Sequence, residues 1–356
     1  MARPRRPRDP IQAVGTSVAA FVGSLPGGPP AAPVFITSVL DFERAFGSAE
    51  GETADAVRLF FENGGRQAYV AGLNEADPRH SLEGLSWTSF DLLVIPATAR
   101  LQQSQATSLA VAAALFAEDK RAFYLVDPPA ERTVRNVARW AGSFGGGRSS
   151  AVYFPRLRVR RPSGERDVPA AGAVAGILAR TDITRGVWVS SAGERVDGTL
   201  GPSLELDDAT VEKLDLASVN SIRRLPGRGV RVWGARTRAD TDSEWQYVNV
   251  RRLAAFLEQS IEHGLQWVVF EPNRPRLWTQ VRAQVRAFLQ VTFRQGAFSA
   301  AKPEDAFFVR CDRTTMTQDE IDSGRLNIHV GIAPLRPAEF VVVRIGLWAR
   351  PSEDDD

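Results

Sequence analysis

The chain has 356 residues, of which 44% are hydrophobic, so it is long enough for two domains with a sizeable buried core. Its 44 basic and 42 acidic residues nearly cancel, and a net charge of +2 does not indicate a nucleic-acid-binding protein. The lone Cys311 excludes an internal disulfide framework and a cysteine-based zinc cluster. No apolar run approaches the length of a membrane span, so we expect no membrane insertion.

The first half of the chain predicts an α/β domain. After a basic leader, residues 11–22 have the composition of a strand, and the Gly/Pro-rich segment 24–33 is typical of an extended linker. Strands and helices then alternate, which favours a sheet covered by helices. The predicted strands are 67–73, 91–96, 122–126 and 151–160, and the predicted helices are 55–62, 101–119, 131–140 and 171–180.

The second half shows sharper signals. Ser243 and Gln246 form a capping box that predicts a helix ending at Gly264, and residues 265–271 have the pattern of a buried strand. A second helix with one apolar face follows and ends at Gly296. The remaining predicted elements are strands 306–311 and 326–332 and, between them, an acidic turn 317–324 opened by a second capping box.

The last predicted strand, residues 337–350, is predicted to have no partner among its neighbours in sequence. Apolar residues alternate on both of its faces, so both faces need cover. One face carries Phe340, Val342 and Trp348, and the other carries Val341, Val343, Ile345 and Leu347. A terminal strand of this kind either pairs only within its own subunit or is donated to another molecule. The acidic residues 351–356 that follow are predicted to be disordered.

The chain offers no convincing catalytic, metal or cofactor site. Residues 142–149 match the spacing of a P-loop, but Arg148 replaces the lysine, and the segment follows a helix and precedes a strand, which is the reverse of the P-loop context. His80, His263 and His329 lie far apart and show no metal-ligand spacing. We therefore predict that the protein is not an enzyme; a nucleotide-dependent α/β enzyme is the alternative.

From Asn220 onward the chain resembles the tail sheath proteins of contractile phage tails and contractile injection systems. The resemblance rests on GRGVRVWGART (227–237), EWQYVNVRRL (244–253), LQWVVFEPN (265–273), EDAFFVRCD (304–312) and GIAPLRPAEFVVVRI (331–345). Upstream segments that agree are TSVAAFVGS (16–24), FERAFG (42–47) and VPAAGAVAGILARTDITRGVW (168–188). Together these segments span most of the chain in the family's order.

The resemblance implies a structural, force-transmitting protein of the α/β (α+β) class with two domains. It places an N-terminal arm and linker, whose strand joins the inner domain, at residues 1–35. An outer α/β domain follows at 36–220, and an inner mixed-sheet domain with packed helices and a C-terminal arm lies at 221–350. Subunits of this family stack as six-fold rings around an inner tube, and terminal arms add strands to the sheets of neighbouring subunits.

The same resemblance implies roles for individual residues. The C-terminal arm corresponds to Phe340, Val341, Val342, Val343, Arg344 and Ile345, the N-terminal arm to Ile11, Val14 and Val18, and a tube-facing turn to Asp319, Glu320 and Asp322. For the last set the alternative is a plain surface turn. Arg236, Arg251 and Arg252 pair with carboxylates either within the inner domain or between subunits.

The partners implied are further copies and paralogues of the chain, an inner tube protein, and baseplate and terminal cap proteins, without nucleic acid. Assembly would take place in the cytoplasm, and the protein would then be part of a virion-like particle. Family members usually begin with a further strand, where this chain has only MARPRRPRDP. Three alternatives follow: a shortened N-terminal arm, a misassigned start, or a specialised sheath paralogue found at one level of the assembly. A non-contracting cap or connector paralogue is the alternative function.

Overall fold

The computed structural model describes residues 9–25, 32–47, 50–74, 78–96, 101–144, 147–240, 243–335 and 341–351. The chain divides into two compact units, which we call the central unit (Gly15–Arg252) and the terminal unit (Met1–Val14 with Leu253–Asp356). The prediction of a mixed α/β protein with two domains is confirmed. The central unit extends beyond the predicted outer domain on both sides, because the first strand and the start of a late helix belong to it.

The central unit contains a main sheet and a small one. Its strands are β1 (Ala19–Gly23), β2 (Val34–Ile36), β3 (Ala68–Gly72), β4 (Leu92–Val94), β5 (Phe123–Val126), β6 (Ser150–Phe154), β7 (Leu157–Arg161), β8 (Gly164–Val168), β9 (Gly201–Pro202), β10 (Val219–Leu225) and β11 (Gly229–Trp233). The main sheet has the order β11-β10-β6-β5-β4-β1-β3-β2. Its inner strands run parallel, and the edge strands β2 and β11 run antiparallel to their neighbours. The small sheet, β8-β7-β9, is antiparallel.

Helices cover both faces of the main sheet. They are α1 (Val39–Phe46), α2 (Glu52–Glu62), α3 (Pro78–Glu83), α4 (Gln103–Asp119), α5 (Val134–Ser143), α6 (Ala171–Arg185) and α7 (Asp208–Leu216). Ala19 and Phe21 of β1 join a core that includes α2 and α6, whereas Ala20 and Val22 join a core that includes α4 and α5. A strand that is buried on both faces has a continuous apolar sequence, as β1 has.

Two glycines allow α2 and α6 to approach closely. A Cβ added at Gly172 would lie 2.4 Å from the Ala56 carbonyl oxygen, and one added at Gly176 would lie 2.3 Å from the Phe60 carbonyl oxygen. Any side chain at either position would collide with the backbone of α2. The small residues of the predicted helix 171–180 therefore set the distance between the two helices.

The terminal unit contains a three-stranded antiparallel sheet and two long helices. Its elements are α8 (Val248–Gly264), a 3₁₀ turn (Gln266–Phe270), α9 (Pro275–Arg294), α10 (Pro303–Ala306), β12 (Phe307–Arg310), α11 (Gln318–Asp322), β13 (Arg325–Ile332) and β14 (Val341–Trp348). The division between the units falls inside α8, between Arg252 and Leu253. The sheet order is β12-β13-β14. The alternating apolar residues of β13 are fully buried, as their period of two predicts.

Three elements differ from the sequence-based expectation. β1 lies between β4 and β3 in the main sheet, so the first described strand joins the central unit and not the inner domain. Residues 265–271, predicted as a buried strand, form a 3₁₀ turn in which Phe270 is 80% exposed. Ser243 caps a turn by accepting from the Trp245 N–H at 3.2 Å, and α8 begins only at Val248.

Candidate subunit-linking surfaces

β14 is an edge strand of the terminal sheet. It pairs antiparallel with β13 over its full length, so the prediction that its sequence neighbours could not pair with it is wrong. The register places Val341, Val343 and Ile345 on the same buried face as the apolar residues of β13, and this shared face fixes the pairing. Of the predicted C-terminal arm, Phe340 lies outside the described residues and the other five residues lie in β14.

The backbone of β14 has hydrogen-bonding groups that point away from β13. The Ala349 N–H donates to the Gly324 carbonyl oxygen at 2.6 Å, and bonded pairs alternate with non-bonded pairs along an antiparallel ladder. Val342, Arg344 and Gly346 therefore direct their N–H and C=O groups to the outer edge. No further strand pairs with this edge among the residues that the structure describes. Such an edge accepts a strand from another chain.

The C-terminal end of this edge lies beside the segment that precedes α9. The Arg350 N–H donates to the Glu271 oxygen at 2.9 Å, and the Arg350 oxygen accepts from the Asn273 N–H at 2.8 Å. Next to it, Phe270 and Trp348 are 80% and 66% exposed. Exposed aromatic residues beside an open strand edge are typical of a protein–protein contact. Sequence reasoning missed Phe270 because the run QWVVF has the composition of a buried strand.

The predicted N-terminal arm residues contact their own chain. Ile11 is buried against Gly264, where an added Cβ would lie 2.7 Å from the Ile11 Cγ1. The Val14 N–H donates to a serine hydroxyl of α8 at 3.2 Å. In the central unit, the Val18 N–H donates to the Asp91 carboxylate at 2.9 Å. Residues 1–8 lie outside the described part of the chain, and a linking role for this segment stays a prediction.

The acidic turn forms α11, and its three carboxylates have different surroundings. The predicted capping box is present: the Thr317 N–H donates to Glu320 Oε2 at 2.9 Å, and the Glu320 N–H donates to Thr317 Oγ1 at 3.3 Å. Asn327 Nδ2 also donates to Glu320 Oε1 at 3.1 Å. These hydrogen bonds lower the pKa of Glu320, and the bond from Thr317 has the largest effect. Asp319 and Asp322 are exposed. Glu320 thus maintains the turn, whereas Asp319 faces solvent and the exposed Asp322 accepts from Gln318 Nε2 at 2.7 Å.

Arg236 and Arg252 form ion pairs within the central unit. Arg236 donates to Asp215 from Nε at 2.8 Å and from Nη2 at 2.9 Å. Arg252 donates to Asp182 from Nη1 at 2.9 Å and from Nη2 at 2.6 Å. Arg251 donates to a serine hydroxyl at 3.1 Å. Both pairs form within one chain, but the prediction that the carboxylates belong to the inner domain is wrong, because Asp215 and Asp182 lie in the range predicted for the outer domain.

The glycine-rich segment borders a cleft of about 770 Å³ in the central unit. Arg148, which replaces the P-loop lysine, forms an ion pair with Glu118 at 2.6 Å, and its guanidinium lies 5.3 Å from the centroid of the Trp245 ring. Gly142 belongs to the last turn of α5. Because the guanidinium is already held by a carboxylate and an aromatic ring, the geometry favours a surface loop over a nucleotide site.

The described part of the chain contains no cluster of three or more His, Cys, Asp or Glu residues able to hold a metal ion. Cys311 is buried, and burial raises the pKa of its thiol to about 12, so the thiol stays protonated and unreactive at neutral pH. Within the described ranges, no helix has both the length and the apolar character needed to cross a membrane.

Comparison with known proteins gives consistent matches. The family model for the phage tail sheath protein central domain matches residues 68–238, and the model for the phage tail sheath C-terminal domain matches residues 240–347. The chain is 25% identical over 194 residues to the tail sheath protein of Enterobacteria phage T4. That match covers 54% of this chain but only 28% of the phage protein, so the chain spans about a quarter of that relative's length.

Two solved structures are similar along almost the whole chain. One is a chain of the anti-feeding prophage helical sheath in the contracted state, with a TM-score of 0.80, 31% identity and 96% coverage of each chain. The other is a chain of the anti-feeding prophage baseplate, with a TM-score of 0.78, 31% identity and the same coverage.

Proposed function

This chain belongs to the phage tail sheath protein family, and we propose that it stacks as six-fold rings around an inner tube and contracts to drive the tube through a target envelope. The observation that carries the proposal is the 31% identity to a contracted sheath subunit over 96% of both chains. The family is one of structural proteins and not of enzymes, so the prediction that this protein is not an enzyme is confirmed.

The link between subunits is proposed to use β14. The outward N–H and C=O groups of Val342, Arg344 and Gly346 offer hydrogen bonds to a strand of an adjacent subunit. Main-chain bonds form with little regard to side-chain identity, so this link does not depend on particular side chains in the added strand. Exposed Phe270 and Trp348 would add apolar area at one end of the added strand. The arm residues Val341–Ile345 therefore act from within their own sheet, as the strand that receives the neighbour.

The contact with the inner tube is proposed to use α11. Asp319 and Asp322 are exposed on it, and a complementary basic surface on the tube would hold them by screened charge interactions. Interactions of this strength break readily, which suits a sheath that must move along the tube. Glu320 contributes by holding the turn in shape.

A second candidate is a non-contracting connector or cap paralogue at one level of the assembly. It is favoured by the similarity to a baseplate chain, which equals the similarity to the helical sheath in identity and coverage. Baseplate and terminal cap proteins are partners in either case. Both candidates assemble in the cytoplasm and then form part of a virion-like particle.

Electron microscopy of the purified full chain, alone and with its inner tube protein, tests the proposal. A sheath subunit forms long striated tubes, with extended and shortened states when the tube protein is present. A connector forms single rings that do not lengthen at higher protein concentration. Persistent monomers under both conditions would contradict both candidates.

A further inference from the structure

The outer face of the terminal sheet carries three basic residues side by side. The register aligns Arg310 of β12, His329 of β13 and Arg344 of β14 across the three strands. Side chains directly opposite each other in adjacent antiparallel strands have Cβ atoms about 5 Å apart. We call these three residues the basic row. It lies on the face opposite to the buried apolar residues of β13 and β14.

The charge of the basic row is only partly offset within the described part of the chain, where the single carboxylate of Asp312 acts on Arg310 and His329. Arg344 is exposed, and no described carboxylate lies within ion-pair distance of Arg344 or Arg310. The Arg310 guanidinium lies over the Phe308 ring, 4.9 Å from its centroid. Asp312, close by in sequence, accepts from the N–H and the hydroxyl of Thr314 at 2.8 and 2.5 Å. Like charges opposite each other destabilise a sheet, so a negatively charged partner would stabilise this one.

An apolar strip runs beside the basic row. The next set of aligned residues is Phe308, Gly331 and Val342, and the two side chains are half-buried. A Cβ added at Gly331 would lie 2.0 Å from the Phe308 ring, so the glycine allows the ring to lie across β13. A basic row next to a flat apolar strip fits an extended acidic peptide, whose charges meet the arginines while its backbone covers the strip.

We propose that the basic row binds the acidic C-terminal tail of a second copy of this chain. Residues 353–356 read EDDD and bring four side-chain carboxylates. They follow β14 after a short spacer, so every copy that offers a basic row also carries a tail. This inference deepens the proposed function. It rests on that function in one respect, which is that a sheath brings copies of the chain together.

The position of the tail favours a second copy over the same chain. Arg350 is hydrogen-bonded to Glu271 and Asn273 at the far end of β14 from Arg344. Residues 344 and 350 are about 20 Å apart along an extended strand, and residues 352–356 span at most about 18 Å when extended. A chain's own tail would have to reverse direction at once and stay fully extended to reach Arg344. The tail of a neighbouring copy has no such restriction.

Peptide binding tests this inference without requiring assembly. A fluorescent peptide of residues 349–356 (ARPSEDDD) is titrated with the full chain, and binding is followed by fluorescence anisotropy. We expect binding that weakens about fivefold or more in Arg310→Glu and in Arg344→Glu, and that weakens as salt is added. The matched control is Arg286→Glu, because Arg286 is an exposed arginine on α9, off the sheet face, and its replacement should leave affinity unchanged.

Three results would overturn the inference. The first is equal affinity for a neutralised peptide, ARPSQNNN, because the face would then not recognise carboxylates. The second is an equal effect of Arg286→Glu and Arg344→Glu. The third is peptide binding that appears only after residues 352–356 are deleted, because the chain's own tail would then occupy the face. Peptide binding by a protein that never forms rings or tubes would instead support this inference and contradict the proposed sheath.

The pH dependence of peptide affinity gives an independent readout through His329. Burial has the largest effect on the pKa of His329 and lowers it. The charges of Arg344 and Arg310 lower this pKa further, whereas the charge of Asp312 raises it. A bound carboxylate favours protonated His329, so affinity should rise as the pH falls from about 8 to about 5.5, where the tail carboxylates remain ionised. His329→Gln should abolish the rise. A wild-type affinity that does not change over this range would place the peptide elsewhere.

Discussion

The Arg252 guanidinium donates two parallel hydrogen bonds to the Asp182 carboxylate. The Arg252 side chain is only 5% exposed and the Asp182 side chain only 3%. Thr16 completes the site, because its hydroxyl donates to Asp182 at 2.7 Å and its carbonyl oxygen accepts from Arg252 at 2.7 Å. Within the central unit, this network joins the start of α8 and the helix α6 to the segment that precedes β1. Buried charges of this kind persist only when they are fully paired.

Replacing Arg252 by Met should lower the free energy of unfolding by about 3–5 kcal/mol, because Asp182 would remain buried without its counter-charge. Urea unfolding followed by circular dichroism measures the loss. The control is Arg158→Met, which removes an exposed partner of Asp167 at 2.9 Å and should cost about 1 kcal/mol or less. Similar small losses in both variants would show that the buried pair does not stabilise the unit.

Asp91 should make the stability of the protein depend on pH. Burial raises the pKa of Asp91 to about 7, and the Asp182 charge adds to this, while the Val18 N–H and Arg252 oppose it. The folded protein thus holds a proton that the unfolded chain releases near pH 3.8, so this contribution to stability is present below that pH and is lost as the pH rises to about 7.

Asp91→Asn removes the ionisation, so the variant should gain stability relative to the wild type between about pH 5 and about pH 8. Urea unfolding at several pH values measures the difference. Asp41→Asn serves as the control, because hydrogen bonds from Thr37 lower the pKa of Asp41 and keep it ionised throughout this range. A difference between Asp91→Asn and the wild type that stays constant with pH would rule out the raised pKa.

Gly172→Ala should destabilise the central unit by about 1–3 kcal/mol, because its Cβ would lie 2.4 Å from the Ala56 carbonyl oxygen and force α2 and α6 apart. Gly142→Ala is the matched control: a Cβ there meets nothing within 4 Å, and alanine is the better helix former. Thermal melting of both variants compares them. Equal melting temperatures would mean that the two helices adjust to the added methyl group.

Asp319→Lys should weaken binding of the sheath protein to its tube without lowering its melting temperature, because Asp319 is exposed. Glu320→Ala should instead lower the melting temperature, since the Glu320 carboxylate closes the capping box and accepts from Asn327. Co-sedimentation with purified tubes and thermal melting separate the two effects. Loss of tube binding in neither variant, or in both equally, would remove α11 from the tube contact.

The sequence predicted local elements well wherever periodicity was strong. The predicted strand 326–332 is observed as Arg325–Ile332, and the helix predicted to end at Gly296 is observed as Pro275–Arg294. The sequence-based prediction failed where one composition is compatible with two kinds of secondary structure. QWVVF reads as a buried strand but forms a 3₁₀ turn, because which of its side chains are covered depends on packing and not on the run itself.

Strand partners and the candidate sites were predicted less well, because pairing is decided between distant residues. The apolar run of β1 gave no sign that β3 and β4 would flank it. The alternation in β14 indicated two apolar faces but not that β13 would supply its first partner. Likewise Asp319, Glu320 and Asp322 look equivalent in sequence, and only the structure shows that Glu320 closes the capping box and bonds to Asn327. The basic row could be recognised only once the register aligned residues 310, 329 and 344.

The central claim is that subunits are linked through the outer edge of β14, and a Gly346→Pro variant tests it most directly. Proline removes one outward N–H and blocks strand addition, while the bonds to β13 remain. Gly346→Ala is the matched control, since an added Cβ lies 3.6 Å from Asn327 Oδ1, an ordinary contact. With wild-type melting behaviour in both variants, electron microscopy should show tubes for Gly346→Ala and none for Gly346→Pro; tubes formed equally well by Gly346→Pro would contradict the account.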